Sequence, residues 1–145
     1  VTICEFEYED ETYENIKSRI ANYCRYQIPF EVTFTTFQNY ANGAFFIAPD
    51  AKSKTKMAEI MKKIPKHIQF PVSHKSIEPH ISIGRQLNFN QLVEAYNMFQ
   101  KIQLTFICEG ITIRIFNPDR KQYDVLETIP FLSEIEPEKE QLTLF

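Results

Sequence analysis

The first half of the chain alternates between strand-like and helix-like patterns of apolar residues. Residues 1–7 (V-T-I-C-E-F-E) and 30–37 (F-E-V-T-F-T-T-F) place apolar side chains at about every second position, which predicts two strands. Between them, apolar residues recur at helical spacing through about residue 26, behind Asp10, which can cap a helix. Asn42-Gly43 then predicts a hairpin turn into the returning strand A-F-F-I-A.

A second helix is predicted to open at Pro49-Asp50 and to end at Pro65, because proline does not continue the hydrogen-bond ladder of a helix. Residues 65–78 contain further prolines among polar side chains, and they are predicted to form a loop. A short strand, H-I-S-I-G, follows directly after Pro79. The apolar stripe that we expect the second helix to bury consists of Met57, Ile60, Met61 and Ile64.

The last third of the chain predicts one more helix and a β meander. Either Asn88 or Asn90 can cap the helix, and three alternating segments follow it. The expected strands cover residues 102–108, 111–116 and 123–131, with turns at Glu109-Gly110 and at N-P-D-R.

The resulting order, β-α-β-β-α-β-α-β-β-β, predicts an α+β fold of antiparallel or mixed sheets with helices on their outer faces. Two halves are similar, since a V-T-I strand, a helix and a hairpin correspond to an I-S-I strand, a helix and a hairpin. Thr2 and Ser82 hold equivalent positions in these halves, 80 residues apart. After Pro130 the periodicity stops, which divides the chain into a domain at residues 1–132 and an acidic tail at 133–145.

The composition is that of one globular domain, with 43% hydrophobic and 24% charged residues, and its 13 Phe and 7 Tyr suit strands. The net charge of −3 hides an uneven distribution. Residues 1–14 carry six acids and no base, and 134–145 carry four acids and one lysine. The intervening residues hold 15 bases and 9 acids, which indicates either a basic working surface or an ordinary solvated one.

Two features bear on the cellular setting. Every apolar run is much shorter than the roughly 18 residues that a membrane-spanning helix needs, so we expect no membrane association. The three cysteines, Cys4, Cys24 and Cys108, form no CxxC pair and no disulfide framework. This usage favours a reducing compartment, and we expect a cytoplasmic protein.

The stretch P-H-I-S-I-G-R, residues 79–85, carries the most informative chemistry. In a strand, His80 and Ser82 project from one face, while the isoleucines anchor the other face in the core. The imidazole can exchange a proton near neutral pH, the hydroxyl can hydrogen-bond a phosphate oxygen, and Arg85 can bind two phosphate oxygens. A histidine in a strand is also often just a satisfied polar residue, so the pattern alone leaves both interpretations open.

This stretch resembles the second motif of the 2H phosphoesterase superfamily, which includes the RNA 2′,3′-cyclic phosphodiesterases also known as 2′-5′ RNA ligases. That family carries two H-x-[ST]-x motifs, one in each half, and H-I-S-I from His80, preceded by Pro79, matches the second. V-T-I-C-E-F at the start resembles the continuation of the first motif after its histidine. I-T-I-R-I-F and Y-D-V-L-E-T-I-P-F resemble the final hairpin, so the resemblance covers about residues 1–131.

The resemblance implies a bilobal fold of two pseudo-symmetric sheet-and-helix halves, here lacking the family's first strand and helix. It also implies that the first catalytic histidine would lie immediately before Val1. We therefore expect this chain to be a fragment that is inactive by itself.

The implied activity is metal-independent and cofactor-free opening of a cyclic phosphodiester, at an RNA end or in a nucleotide, or 2′-5′ ligation. Opening a 2′,3′-cyclic phosphate needs a base that activates water and an acid that protonates the departing ribose oxygen, and two facing imidazoles can divide these roles. In this interpretation His80 is the acid or base, Ser82 and Thr2 hold the non-bridging oxygens, and Arg85 binds the phosphate. The alternatives are a non-catalytic RNA- or nucleotide-binding module and an adaptor with a decayed site.

Other side chains offer weaker candidates. His67, His74 and His80 do not have the spacing of a zinc site, and we expect no metal. The six lysines between residues 52 and 66 can attract RNA phosphates or form a solvated helix face. The aromatic side chains that can stack on bases, most of which we expect in the core, are Tyr40, Phe45, Phe46 and Phe70.

The tail ends in Q-L-T-L-F, which is apolar where a solvated tail is normally polar. The pentapeptide resembles the Q-L-[SD]-L-F peptide by which bacterial proteins bind the DNA sliding clamp, with Thr143 in place of the usual Ser or Asp. The resemblance implies a sliding clamp as a partner, bound through Gln141, Leu142, Leu144 and Phe145. The alternative is that L-T-L-F packs on its own sheet as an edge strand.

Overall fold

A computed structural model describes residues 1–137 of the chain. Within this range three helices form: α1 at Asp10–Arg25, α2 at Ala51–Ile68 and α3 at Phe89–Met98. None of them combines the length and the apolar character that crossing a bilayer takes. The Q-L-T-L-F segment at 141–145 lies outside the described residues, so both of its interpretations stay predictions.

Eight strands accompany the helices in the described part of the chain. In order they are β1 Cys4–Glu5, β2 Phe30–Asn39, β3 Phe45–Pro49, β4 His74–Lys75, β5 Ile81–Gly84, β6 Leu104–Cys108, β7 Gly110–Asn117 and β8 Gln122–Pro130. They pair antiparallel in three sheets: β1 with β4, the four strands in the order β5-β3-β2-β6, and β7 with β8. This is the α+β architecture that the sequence predicts.

Two hydrophobic clusters hold the sheets against the helices, and α2 contributes to both. The smaller cluster joins α2 to the four-stranded sheet through Val32, Phe34, Ile47 and Met57. The larger cluster packs α1 and α2 against the β7–β8 hairpin. Its buried members are Ile16, Ile20, Tyr23, Cys24, Ile60, Ile64, Ile68, Ile113, Ile129 and Phe131. The expected stripe on α2 is therefore confirmed, and each buried aliphatic side chain contributes about 1.5–3 kcal/mol.

The helix starts agree with the predictions for α2 and α3 but not for α1. Asp50 is the N-cap of α2, and its carboxylate accepts from the peptide N–H of Ser53 at 2.8 Å. Asn88 caps α3 in a capping box. The prediction that Asp10 caps α1 is wrong, because Glu9 is the N-cap residue and Asp10 already lies in the helix. There the carboxylate of Asp10 complements the positive end of the helix dipole.

The prediction that Pro65 ends the second helix is also wrong, since α2 continues to Ile68 with Pro65 inside it. Proline in a helix interior costs about 3 kcal/mol. Ile64 and Ile68 are both almost fully buried on the same face of α2. At about 1.5–3 kcal/mol each, their burial outweighs the cost of the proline.

The predicted meander is wrong in its pairing, although its three strands exist. β6 pairs with β2, from Phe34 opposite Leu104 to Phe30 opposite Cys108, rather than with β7. Glu109-Gly110 is consequently not a hairpin turn but the point where the chain passes into another sheet. A Cβ on Gly110 would lie 2.5 Å from the carbonyl oxygen of Ile129, so this close approach requires glycine. Alternation of apolar residues identifies a strand but does not say which neighbour it pairs with.

The first strand is shorter than predicted, and its partner comes from the expected loop. Val1, Thr2 and Ile3 precede β1, and Val1 is half exposed. β1 pairs with β4, which forms within the segment expected to be irregular. The pairing continues beyond the strands, because the peptide N–H of Ser76 donates to the carbonyl of Ile3 at 2.9 Å.

The segment after β8 runs along the end of α1. Phe131 is buried, and the next three peptide N–H groups donate to carbonyls at and just after the end of that helix, at 2.8–3.1 Å. These bonds satisfy acceptors that a helix end leaves without partners. The division at residue 132 stays a prediction.

Candidate active site

Strand β5 places His80 and Ser82 on one face of the four-stranded sheet. Ile81 pairs with Ile47 of β3, and Ser82 pairs with Phe46. Because side chains alternate, Ile81 packs against the core cluster that contains Ile47, while Ser82 shares the opposite face with Phe46. Ser82 is exposed and His80, directly before the strand, is half-buried.

Two aromatic rings and one backbone carbonyl fix the imidazole of His80. Its ring lies 5.2 Å from the ring of Phe46 and 5.7 Å from the ring of Tyr40, centroid to centroid. His80 Nδ1 lies 2.9 Å from the carbonyl oxygen of Glu78. A carbonyl oxygen only accepts, so Nδ1 carries the proton and Nε2 of the neutral ring keeps its lone pair.

Tyr40 and Glu78 extend this arrangement. The Tyr40 hydroxyl donates to the carboxylate of Glu78 at 2.8 Å, and its ring packs on Phe46 at 4.4 Å. Burial, followed by the hydrogen bond to Glu78, raises the pKa of Tyr40 to about 12. The hydroxyl therefore remains a proton donor throughout the pH range in which a histidine works.

Thr2 is exposed and lies in the segment before β1. β1 pairs with β4 in a sheet that is separate from the four-stranded sheet containing Ser82. A chain of hydrogen bonds connects the two regions. Ser76 bonds the backbone of Ile3, and the Ser76 hydroxyl donates to the carbonyl of Glu78 at 3.3 Å. The loop that leads into His80 is thus anchored to the residue that follows Thr2.

Arg85 lies in the bend that follows β5, and its side chain is exposed. The bend is held by Leu87, whose peptide N–H donates to the carbonyl of Gly43 in the β2–β3 turn at 3.0 Å. The structure therefore brings Arg85 to the end of the strand that carries Ser82.

The other two histidines lie on other elements, α2 and β4. His67 is on α2, where Nδ1 lies 3.0 Å from the carbonyl of Lys63 and the ring packs on Tyr23 at 4.8 Å. His74 is an exposed residue of β4. Among residues 1–137 no three side chains of the metal-ligating types gather into a cluster.

Several of the aromatic side chains and lysines that the sequence suggests for RNA binding pack against, or pair with, other residues of the protein. Phe45 and Phe46 are buried, and Phe70 packs edge-on against Phe6 at 6.0 Å. The lysines of α2 are exposed, with Lys63 paired to Glu59 at 2.6 Å and Lys56 over the ring of Phe30. Lys63 and Lys56 thus already have partners on the surface.

Burial makes the three cysteines poor nucleophiles. It raises the pKa of the Cys24 thiol to about 12, and it also raises the pKa values of Cys4 and Cys108. All three are free thiols. A thiol with a raised pKa holds its proton at neutral pH and does not present the thiolate that reacts or binds metal.

Sequence reasoning missed Glu78 and considered Tyr40 only as a stacking ring. One signal was present, since the residue before Pro79 is restricted to extended conformations, and this directs the Glu78 carbonyl. The contact with Tyr40 joins residues 38 positions apart, so it depends on sheet pairing that the local pattern does not reveal.

Comparison with known proteins agrees with this architecture. The family model described as the 2′-5′ RNA ligase superfamily matches residues 1–120. The solved structure of TT0787 from Thermus thermophilus superposes with a TM-score of 0.57 at 18% identity, covering 89% of this chain and 75% of that one. At that identity the likeness concerns the fold alone. The sequence matches no curated protein. The match over most of the chain confirms the family that the H-I-S-I motif predicts: this protein belongs to the 2′-5′ RNA ligase superfamily.

Proposed function

We propose that the protein is a metal-independent phosphodiesterase of the 2H type, acting on a 2′,3′-cyclic phosphate at an RNA end or in a nucleotide. The observation that carries this proposal is the 2.9 Å contact between His80 Nδ1 and the Glu78 carbonyl. It leaves the Nε2 lone pair available on a partly accessible face beside the Ser82 hydroxyl. Family membership supports the RNA or nucleotide class of substrate.

The reaction needs one base and one acid on opposite sides of the phosphorus. The base takes a proton from water, the water oxygen bonds to phosphorus, and one bond from phosphorus to a ribose oxygen breaks. The acid protonates that departing oxygen, and the product is a phosphomonoester. In ligation the hydroxyl of a second RNA end replaces water. We assign one of the two roles to Nε2 of His80 and the other to the histidine that the resemblance places directly before Val1.

The remaining candidates stabilise the phosphate. The hydroxyls of Ser82 and Thr2 donate to the non-bridging oxygens, where negative charge develops in the transition state. The Arg85 guanidinium neutralises the phosphate with a fork of two N–H donors. The three free thiols suit a reducing, cytoplasmic setting for such an enzyme.

The proposal is tested with a version of the chain that carries a histidine directly before Val1. Phosphorus NMR should show conversion of 2′,3′-cyclic AMP to a phosphomonoester, at the same rate with and without EDTA. A matched version with alanine before Val1 should be inactive. Binding of the cyclic nucleotide without conversion would favour the non-catalytic module, and loss of activity in EDTA would contradict the metal-independent mechanism.

A further inference from the structure

The short segment before β5 holds His80 through its backbone. Glu78 precedes Pro79, which is buried and restricts Glu78 to an extended conformation. The carbonyl of Glu78 therefore points along a defined direction, and it meets His80 Nδ1 at 2.9 Å. The hydroxyl of Ser76 bonds both the N–H and the carbonyl of Glu78, each at 3.3 Å.

The side chain of Glu78 is held by a residue of the β2–β3 turn. Tyr40 belongs to the β2–β3 turn, where its N–H donates to Ala44 at 2.9 Å and its carbonyl accepts from Gly43 at 3.0 Å. From this turn the Tyr40 hydroxyl reaches the Glu78 carboxylate at 2.8 Å, while the Tyr40 ring stands perpendicular to the imidazole. Tyr40 thus contacts both the histidine and the residue whose carbonyl orients it.

We propose that Tyr40 and Glu78 are a positioning pair that keeps His80 in the Nδ1–H tautomer and aims Nε2 at the substrate. This inference rests on the proposed function, since His80 is the acid or base only under that proposal. Without the hydroxyl, Glu78 keeps its extended backbone and its bonds to Ser76 but loses its contact with the β2–β3 turn, so its carbonyl is held less firmly against Nδ1. The imidazole then samples the Nε2–H tautomer, in which Nε2 carries a proton and does not accept one.

Nitrogen NMR of the protein labelled at histidine tests the pair without any substrate. The spectra are recorded at pH 8.5, where Tyr40, whose pKa is about 12, still carries its proton. The unsubstituted protein should show His80 mainly with a protonated Nδ1. Tyr40→Phe and Glu78→Ala should each raise the Nε2–H population at least about threefold, since the partner of Nδ1 sets the tautomer. Glu78→Gln keeps an oxygen that accepts from Tyr40 and should retain the original tautomer.

Tyr96 of α3 offers a matched control, because it contacts the same hairpin as Tyr40 does. The Tyr96 hydroxyl donates to the side chain of Asn39, the neighbour of Tyr40, at 2.9 Å. Tyr96→Phe removes a comparable hydrogen bond without touching Glu78, so the His80 tautomer should not change. If Tyr40→Phe does not fold, Glu78→Ala and Glu78→Gln supply the same comparison.

Kinetics then separates the two proposals. In the version with histidine before Val1, Tyr40→Phe and Glu78→Ala should lower kcat about 5- to 50-fold and leave KM within about twofold, because supporting contacts of a functional histidine have effects of this order. Glu78→Gln should restore most of the rate. If Tyr40→Phe and Glu78→Ala shift the His80 tautomer but the version with histidine before Val1 hydrolyses nothing, the proposed function is overturned and the positioning pair is upheld. A His80 tautomer unchanged in both Tyr40→Phe and Glu78→Ala would overturn the pair.

Discussion

Gly43 and Leu87 approach so closely that a Cβ on Gly43 would lie 2.7 Å from the peptide nitrogen of Leu87. Gly43 also has a φ of +80°, which L-residues rarely adopt. The contact joins the β2–β3 turn, which carries Tyr40, to the segment after β5, which carries Arg85. The glycine in this turn therefore lets two parts of the candidate site come together.

Gly43→Ala should destabilise the fold by more than about 1 kcal/mol, because alanine disfavours the positive φ and its methyl group meets the backbone of Leu87. Urea unfolding measures the change. Gly84→Ala is the matched control, since the three atoms nearest to its Cβ would belong to the Leu87 side chain, the closest at 3.0 Å, and that side chain can move. Equal effects of the two substitutions would contradict the account of this turn.

Asp50→Ala should lower the melting temperature at pH 7, because the Asp50 carboxylate caps α2. Its hydrogen bonds with Ser53 hold the pKa of Asp50 below its ordinary value. A lowered folded pKa means that the charged cap stabilises the fold above about pH 4, the unfolded pKa, and that this stabilisation is lost as the pH falls through the folded pKa. The difference in melting temperature between Asp50→Ala and the unsubstituted protein should accordingly become smaller below pH 4.

The control for this cap is Glu9→Ala at α1, since Glu9 is an N-cap residue whose side chain makes no cap hydrogen bond. We expect a smaller change in melting temperature at pH 7 than for Asp50→Ala. A difference for Asp50→Ala that stays constant from pH 7 to pH 2 would show that the carboxylate does not act as a charged cap.

The tail prediction is tested with a peptide of residues 134–145. If the terminal Q-L-T-L-F is a clamp-binding motif, the peptide should bind a bacterial sliding clamp at micromolar strength, about −8 kcal/mol. Replacing Leu144 and Phe145 by alanine should abolish binding, because these side chains would fill the apolar pocket. An absence of binding at high peptide concentration, or a melting temperature several degrees lower after deletion of the tail, would favour the edge-strand alternative.

The sequence predicts most helices and strands of this fold well, because each is marked by residues that lie close together in the chain. The caps at Asp50 and Asn88, the stripe on α2 and the alternation in β2 each depend on residues within one or two turns or one strand. The motif H-I-S-I also predicts which side chains share a face, since the alternation of side chains along a strand places His80 and Ser82 on the same side.

Apart from the cap of α1, which lies one residue earlier than predicted, the errors concern relationships that no local pattern contains. The partner of β6 is decided by which sheet edge is free, and the continuation of α2 past Pro65 is decided by burial of Ile64 and Ile68. The contact between Tyr40 and Glu78 arises where a turn of one hairpin meets the loop before another strand. These features follow from packing of distant segments, which propensity does not determine.

The central claim is that His80 Nε2 exchanges the proton in the reaction. It is tested most directly by comparing His80→Ala with His74→Ala, an exposed histidine on β4, in the version of the chain with histidine before Val1. Initial rates of 2′,3′-cyclic nucleotide hydrolysis should fall at least about 100-fold for His80→Ala, as for loss of a general acid or base, and stay within about twofold for His74→Ala. A His80→Ala protein that hydrolyses the substrate as fast as the unsubstituted one would contradict the account.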